Sequence, residues 1–313
     1  MHPWNEPLFE TLKGRLERFP HALLIHGVRG TGKLALAERV AQLLLCESSA
    51  ARPCGRCEGC RWFRAGSHPD FRRVEPEALA RDAVPADEDA EAPAKRGKPS
   101  IDIKIEQIRE LAGFLNLRSH RGRLRVALIH PAEEMVPNAA NALLKGLEEP
   151  PAGAVFLLVS HRPSQLLPTI RSRCVALAVP IPPRPAALTW LAEQGVSKPE
   201  RWLAYAGGAP LRAVELAART SVLERLLQQP MPVGEREELE VLADALQKIA
   251  LDRALAGLGL PPKYQTGSVS VHRSKVASWL AYARQMGQHR LLCRHPLNPK
   301  LFSAEMLAGL PKA

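Results

Sequence analysis

The sequence predicts an α/β domain, a mostly parallel sheet flanked by helices, followed by a small helical unit and an all-α unit. Three observations carry this prediction. Short apolar runs alternate with amphipathic segments from Pro20 to about Val179, the pattern of a parallel sheet covered by helices. The run "VPIPPRPAA", Val179 to Ala187, can continue neither a sheet nor a helix through its prolines. From Ser221 onward only helical periodicity remains. The expected boundaries are therefore residues 1–180, 181–220 and 221–313. Such a division suits 313 residues, since domains usually run about 100 to 200.

In the first unit "HALLIHG", "IDIKI", "RVALIH", "AVFLLVS" and "CVALAV" read as buried strands. Leu36, Val40, Leu43 and Leu44 fall at helical spacing after the first of them, and Ile105, Ile108, Leu111 and Leu115 after the second. Both sets are core faces. Between Asp82 and Ser100 the stretch "DAVPADEDAEAPAKRGKPS" holds Pro, Ala and blocks of charge, which bury too little apolar surface to offset ordering entropy, so a mobile surface loop is expected. In the last unit Leu239, Leu242, Leu246 and Ile249 mark one helix and "SKVASWLAYARQM" another.

Forty-three Lys and Arg against 32 Asp and Glu leave a net charge of +11, which favours polyanionic partners such as nucleic acid. Basic residues gather in "RSHRGRLR" (Arg118, Arg121, Arg123, Arg125) and in "HRLLCRHPLNPK" (Arg290, Arg294, Lys300). They suit phosphate contacts or, equally, solvated loops and subunit interfaces. Aromatics are only 5% of the chain, which disfavours a stacking ladder for single strands. No apolar run approaches the roughly 18 residues a bilayer span needs, and "MHPWNEPLFE" lacks a signal-peptide pattern. A cytoplasmic location with reduced cysteines is expected.

The stretch "GVRGTGKL" follows an apolar strand and precedes a helix, the setting of a phosphate-binding loop. Gly27, Gly30, Gly32 and Lys33 can wrap phosphates with backbone N–H groups and an ammonium, although a Gly-rich turn with an exposed lysine is the alternative. Leu34 replaces the hydroxyl that would ligate magnesium. The neighbouring strand should end in an Asp for the metal and a Glu for water, yet "RVALIHPAEEM" places His130 and Pro131 there. Glu133 and Glu134 lie about three residues past the strand end, which at about 3.3 Å per residue displaces them by up to about 10 Å. Three losses at one site point to a loop that does not hydrolyse nucleotide.

Cys46, Cys54, Cys57 and Cys60 in "CESSAARPCGRCEGC" have the spacing of a closed, structural Zn²⁺ site, with disulfides or unligated core thiols as alternatives. His68 is close behind, but four thiolates already complete a tetrahedron. Cys174 and Cys293 stand alone in apolar surroundings, as small core residues do.

Taken with "NALLKGLEEPP" at Asn141 to Pro151, "PTIRSRC" at Pro168 to Cys174, "GGAPLRA" at Gly207 to Ala213 and "HPLNPKLF" at His295 to Phe302, the loop and the four-cysteine insertion resemble the clamp-loader branch of the AAA+ proteins. The resemblance runs through most of the chain. It implies an AAA+ nucleotide-binding-type domain, a small helical lid and a helical collar for oligomerisation. It further implies that Arg173, in "SRC", is a trans-acting arginine finger on a neighbouring motor subunit's ATP. From spacing alone Arg173 reads as a surface ion pair. Arg212 matches the lid's sensor arginine, with domain packing the other reading, and Ser160 and His161 fall at the sensor position. The implied role is a non-hydrolysing subunit of a DNA-directed DNA polymerase holoenzyme, a nucleotidyltransferase. Its implied partners are gamma/tau and delta clamp-loader subunits, the sliding clamp and primed DNA. ATP binding by this chain stays open. The alternatives are an active ATPase of the gamma/tau type, using Lys33, and a zinc-dependent nucleic-acid module.

Overall fold

The computed structural model describes residues 1–49, 51–82, 99–117, 119, 124–266, 271–293, 295 and 297–311. The chain forms two compact units, Met1–Ile181 and Pro182–Ala313.

The first unit runs α1 (Glu6–Lys13), β1 (Ala22–His26), α2 (Lys33–Leu45), α3 (Glu58–Arg64), β2 (Phe71–Val74), α4 (Glu77–Asp82), α5 (Ile105–Asn116), β3 (Arg125–Ile129), α6 (Pro137–Glu148), β4 (Ala154–Ser160), α7 (Pro168–Arg173) and β5 (Val175–Ala178). Every pairing is parallel, in the order β2-β3-β4-β1-β5. Parallel neighbours need crossover connections, so helices cover both faces. Because successive strand side chains point to opposite faces, each apolar strand feeds two cores. Leu23, Ile25, Val126, Leu128, Val155 and Leu157 pack with α1 and α2 on one side. Leu24, Ala127, Ile129, Phe156 and Leu158 pack with α5, α6 and α7 on the other.

Two expectations need correction. "IDIKI" is not a strand. Ile103 is fully buried and makes a single parallel bridge to Met135, its N–H donating to the Glu134 carbonyl at 2.7 Å and its own carbonyl accepting from Val136 N–H at 3.1 Å. Lys104 then caps α5, its N–H donating to the Gln107 side chain at 2.9 Å, so the helix start ends the pairing after one rung. The remaining strand is β2, "FRRV", at the edge of the sheet, where Arg72 and Arg73 face solvent. "CVALAV" does form β5, but as the opposite edge strand. Its Val175, Ala176 and Ala178 are exposed, and only β1 pairs with it.

In the second unit α8 (Arg184–Glu193), α9 (Pro199–Tyr205), α10 (Pro210–Ala218), α11 (Thr220–Gln228), α12 (Arg236–Gly257), α13 (Val276–Leu292) and α14 (Pro299–Ala308) follow one another. Their apolar residues form two clusters. One gathers Leu191, Trp202, Tyr205 and Leu216, the other Leu242, Leu246, Trp279, Met286 and Phe302. Helix α11 gives Leu223 to the first and Leu226 to the second. Among the described residues no helix is long and apolar enough to cross a membrane. Of the 82–100 segment, residues 83–98 lie outside the described residues.

Candidate nucleotide and metal sites

The Gly-rich loop joins β1 to α2. Gly27, Gly30 and Gly32 take φ values of +150°, +87° and +83°, a region L side chains rarely adopt. At Gly27 the reason is also spatial, since a Cβ there would stand 2.4 Å from the Val179 carbonyl oxygen. The start of the chain lies against the loop. Trp4 Nε1 donates to the Thr31 carbonyl at 2.9 Å, and Asn5 Nδ2 donates to the same oxygen at 3.0 Å. Lys33 is 2% exposed and its Nζ donates to the Val28 carbonyl at 2.6 Å, so the loop's own backbone satisfies the lysine. Burial pulls its pKa down to about 8, the Glu133 carboxylate working against that fall and Arg29 adding to it. Leu34, in the first turn of α2, has no hydroxyl to offer a metal and packs half-buried against the core.

Beyond β3, His130 is buried and its Nδ1 makes no hydrogen bond among the described residues. The ring meets His161 edge-on at 5.3 Å between centroids. Burial, and then the charges of Arg73, Lys33 and Arg29, hold His130 down to about 4, and burial lowers His161 further. Both imidazoles are therefore neutral near pH 7. A neutral nitrogen is a poor substitute for the carboxylate oxygen that magnesium prefers.

The two glutamates do not sit where an extended chain would carry them. A 3₁₀ turn, Ala132 to Glu134, folds the chain back after Pro131. Glu133 accepts from the backbone N–H of His161 at 2.9 and 3.2 Å, its side chain 1% exposed and close enough to Lys33 to raise the lysine's pKa. Glu134 pairs with Arg162 at 2.8 Å. Both carboxylates thus tie the end of β3 to the loop after β4. Ser160, at the end of β4, accepts from Gly27 N–H through its carbonyl at 3.3 Å and from Arg162 N–H through its hydroxyl at 3.2 Å.

Arg173 ends α7. Its Nη1 donates to the Thr169 carbonyl at 3.0 Å and its Nη2 pairs with Glu148 Oε1 at 2.6 Å, in a surface position where the arginine side chain is 35% exposed. In the second unit Arg212 pairs with Glu215 one turn along at 2.6 Å.

The four thiols converge. Their sulfurs all lie within 4.8 Å of one another, and Cys46 Sγ and Cys57 Sγ are 3.9 Å apart. Four sulfurs about 2.3 Å from a tetrahedral zinc would stand about 3.8 Å apart, so the donors fit such an ion. Backbone N–H groups already aim at the sulfurs: Cys54 N–H at Cys46 Sγ (3.3 Å), Cys57 N–H at Cys54 Sγ (3.3 Å) and Cys60 N–H at Cys57 Sγ (3.4 Å). N–H groups of Arg56 and Cys57 pull the Cys54 thiol down to about 6. His68 is outside this group of four. Its Nδ1 accepts from Asp70 N–H at 3.1 Å and its ring meets Trp62 edge-on. Cys293 is buried, while Cys174 is half-buried beside the α5/α6 core, its thiol pushed up to about 11 by desolvation.

Of the basic residues, Arg118, Arg121, Arg123 and Arg294 lie outside the described residues. Arg125, which the sequence groups with the cations suited to phosphate, loop or interface, is a buried residue at the start of β3. Its Nη1 donates to the Phe114 carbonyl at 2.6 Å, its guanidinium covers the Phe114 ring at 4.7 Å, and Asp70 lies 3.6 Å from its Nε. Arg290 pairs with Asp244 at 3.0 Å, and Lys300 is exposed. Sequence reasoning missed Trp4 and Asn5 against the loop and Glu148 beside Arg173, and it carried Glu133 too far from Lys33. Only Glu148 left a local signal, within "NALLKGLEEPP".

A family model described as "DNA polymerase III, delta subunit" matches residues 5–182. A protein of Pseudomonas aeruginosa named DNA polymerase III subunit delta' is 44% identical over 221 residues, 69% of this chain and 61% of that one. The Escherichia coli protein of the same name is 34% identical over 221 residues, 69% of this chain and 60% of that one. A DNA polymerase III subunit tau of Salmonella typhimurium is 36% identical over 161 residues, 51% of this chain and 22% of that one. The matches span less than two thirds of the length of these delta' relatives.

Proposed function

Because this chain belongs to the DNA polymerase III delta' family, we propose that it serves a clamp loader as a stator that does not hydrolyse ATP. One observation carries the reading. The three positions that should hold metal and water carry Leu34, His130 and Pro131, with Leu34 half-buried against the core and His130 buried and uncharged. Glu133, a carboxylate close to Lys33, is engaged by the His161 N–H.

In this reading Arg173 reaches an ATP bound by the adjacent motor subunit, of gamma/tau type. Its charge is permanent and its planar fork can stabilise the transferring phosphoryl group, a contribution of about 10³ to 10⁵ in rate in GTPase systems. The helices from Pro182 onward supply a small lid and a collar that joins the other loader subunits, delta among them. Hydrolysis next door then releases the sliding clamp on primed DNA. The cysteine cluster holds Zn²⁺ as a structural ion. Any nucleotide taken up by the loop of Gly27, Gly30, Gly32 and Lys33 is retained, not turned over.

The test is magnesium-dependent ATP hydrolysis by the purified chain alone. No turnover above buffer is expected. The second reading, a gamma/tau-type ATPase, rests on Lys33 and the likeness to a tau subunit, and turnover abolished by Lys33→Ala would establish it in place of the first.

A further inference from the structure

We infer that Glu148 is the positioning residue for Arg173, holding its guanidinium in the orientation in which it meets a neighbour's nucleotide; the inference rests on the arginine-finger reading above. Arg173 has two anchors on two different helices. Glu148 Oε1, at the end of α6, lies 2.6 Å from Nη2, and the Thr169 carbonyl, one turn back in α7, accepts from Nη1 at 3.0 Å. The Ser172 hydroxyl donates to that same carbonyl at 3.0 Å, so the serine and arginine of "SRC" share one fixed point.

A guanidinium carries five N–H donors in a rigid planar fork. Two anchored donors set the plane, and the other donors, which bond to nothing among the described residues, are left for phosphate oxygens. Folding gives no strong reason for the pair, because its side chains are 35% and 48% exposed and surface ion pairs contribute little to stability. Orientation is what it can supply. A long side chain held by one anchor samples several rotamers, and catalysis falls steeply when a charged group is misplaced by an ångström. Glu148 therefore acts through Arg173 and touches no substrate itself.

The experiment uses the reconstituted loader with clamp and primed DNA, reading kcat and KM for ATP, with assembly checked by gel filtration. Four forms of this chain are compared with the parent: Glu148→Gln, Glu148→Asp, Arg173→Ala and the double variant Arg173→Ala/Glu148→Gln. Glu148→Gln is expected to lower kcat by about tenfold with KM changed by less than about twofold. Glu148→Asp should restore part of the loss. In the Arg173→Ala background Glu148→Gln should cost nothing further, since the residue it positions is gone. An unchanged kcat for Glu148→Gln, while Arg173→Ala is slow, overturns the positioning role and leaves the finger standing. Equal losses in both backgrounds overturn it as well. Unchanged turnover for Arg173→Ala would remove both.

Discussion

His130 should make the first unit lose stability as the solution is acidified from pH 6.5 toward 4. The imidazole titrates near 6.5 in an unfolded chain, whereas in the fold its pKa is about 4 because burial, Arg73, Lys33 and Arg29 all oppose its charge. Between those values the unfolded chain binds a proton that the folded chain refuses, so stability falls with falling pH and levels off below about 4. At pH 5 the unfolded form gains about 30-fold in population from this residue, about 2 kcal/mol. Hydrogen exchange of the amides in β3 and β4, corrected for intrinsic rates, reads the effect where unfolding of the sheet is required for exchange. His130→Phe keeps a ring of similar size beside His161 and sacrifices no partner of Nδ1. The parent should lose about 20-fold more protection than His130→Phe between pH 7 and 5, the difference in proton uptake by His130 between those two pH values. The same fall in both proteins would refute the argument.

Other consequences are as direct. Gly27→Ala places a methyl group 2.4 Å from the Val179 carbonyl at a φ of +150°, so β1 and β5 must separate, and thermal unfolding should report a loss of about 1–3 kcal/mol or more. A midpoint unchanged from the parent would contradict the packing. Zinc should copurify with the chain, and a chelator or Cys57→Ala should release it and expose amides around Cys46 to Arg64 while β1 and β4 stay protected. A metal-free protein with full protection of α3 would reject a metal-held module.

How much of this was legible follows from whether the signal is local. Strands β1, β3 and β4 stand in the interior of the sheet, buried on both faces, so each is written as an unbroken apolar run. Edge strand β2 needs no such run, and its two solvent-facing arginines hid it. "IDIKI" alternates like a strand, but over five residues that pattern also fits one buried rung followed by a helix. Lys104, as cap, decides it. The phosphate loop and the cysteines were readable because their chemistry is carried within a few neighbouring residues. Glu133 was misplaced because sequence spacing does not show that the chain turns back after Pro131. Arg125 looked like its basic neighbours until burial against Phe114 and Asp70 set it apart. Arg173 was visible in "SRC", whereas its partner Glu148 belongs to another helix and only folding brings them together.

The central claim is that the ATP served by this chain is bound next door. Its most direct test is the DNA- and clamp-stimulated ATPase of a reconstituted loader carrying Arg173→Ala in this chain, beside the same loader carrying Lys33→Ala. Arg173→Ala should cut turnover at least about tenfold, by analogy with other fingers, while Lys33→Ala leaves it unchanged with assembly intact. Normal turnover with Arg173→Ala and a large loss with Lys33→Ala would contradict the claim.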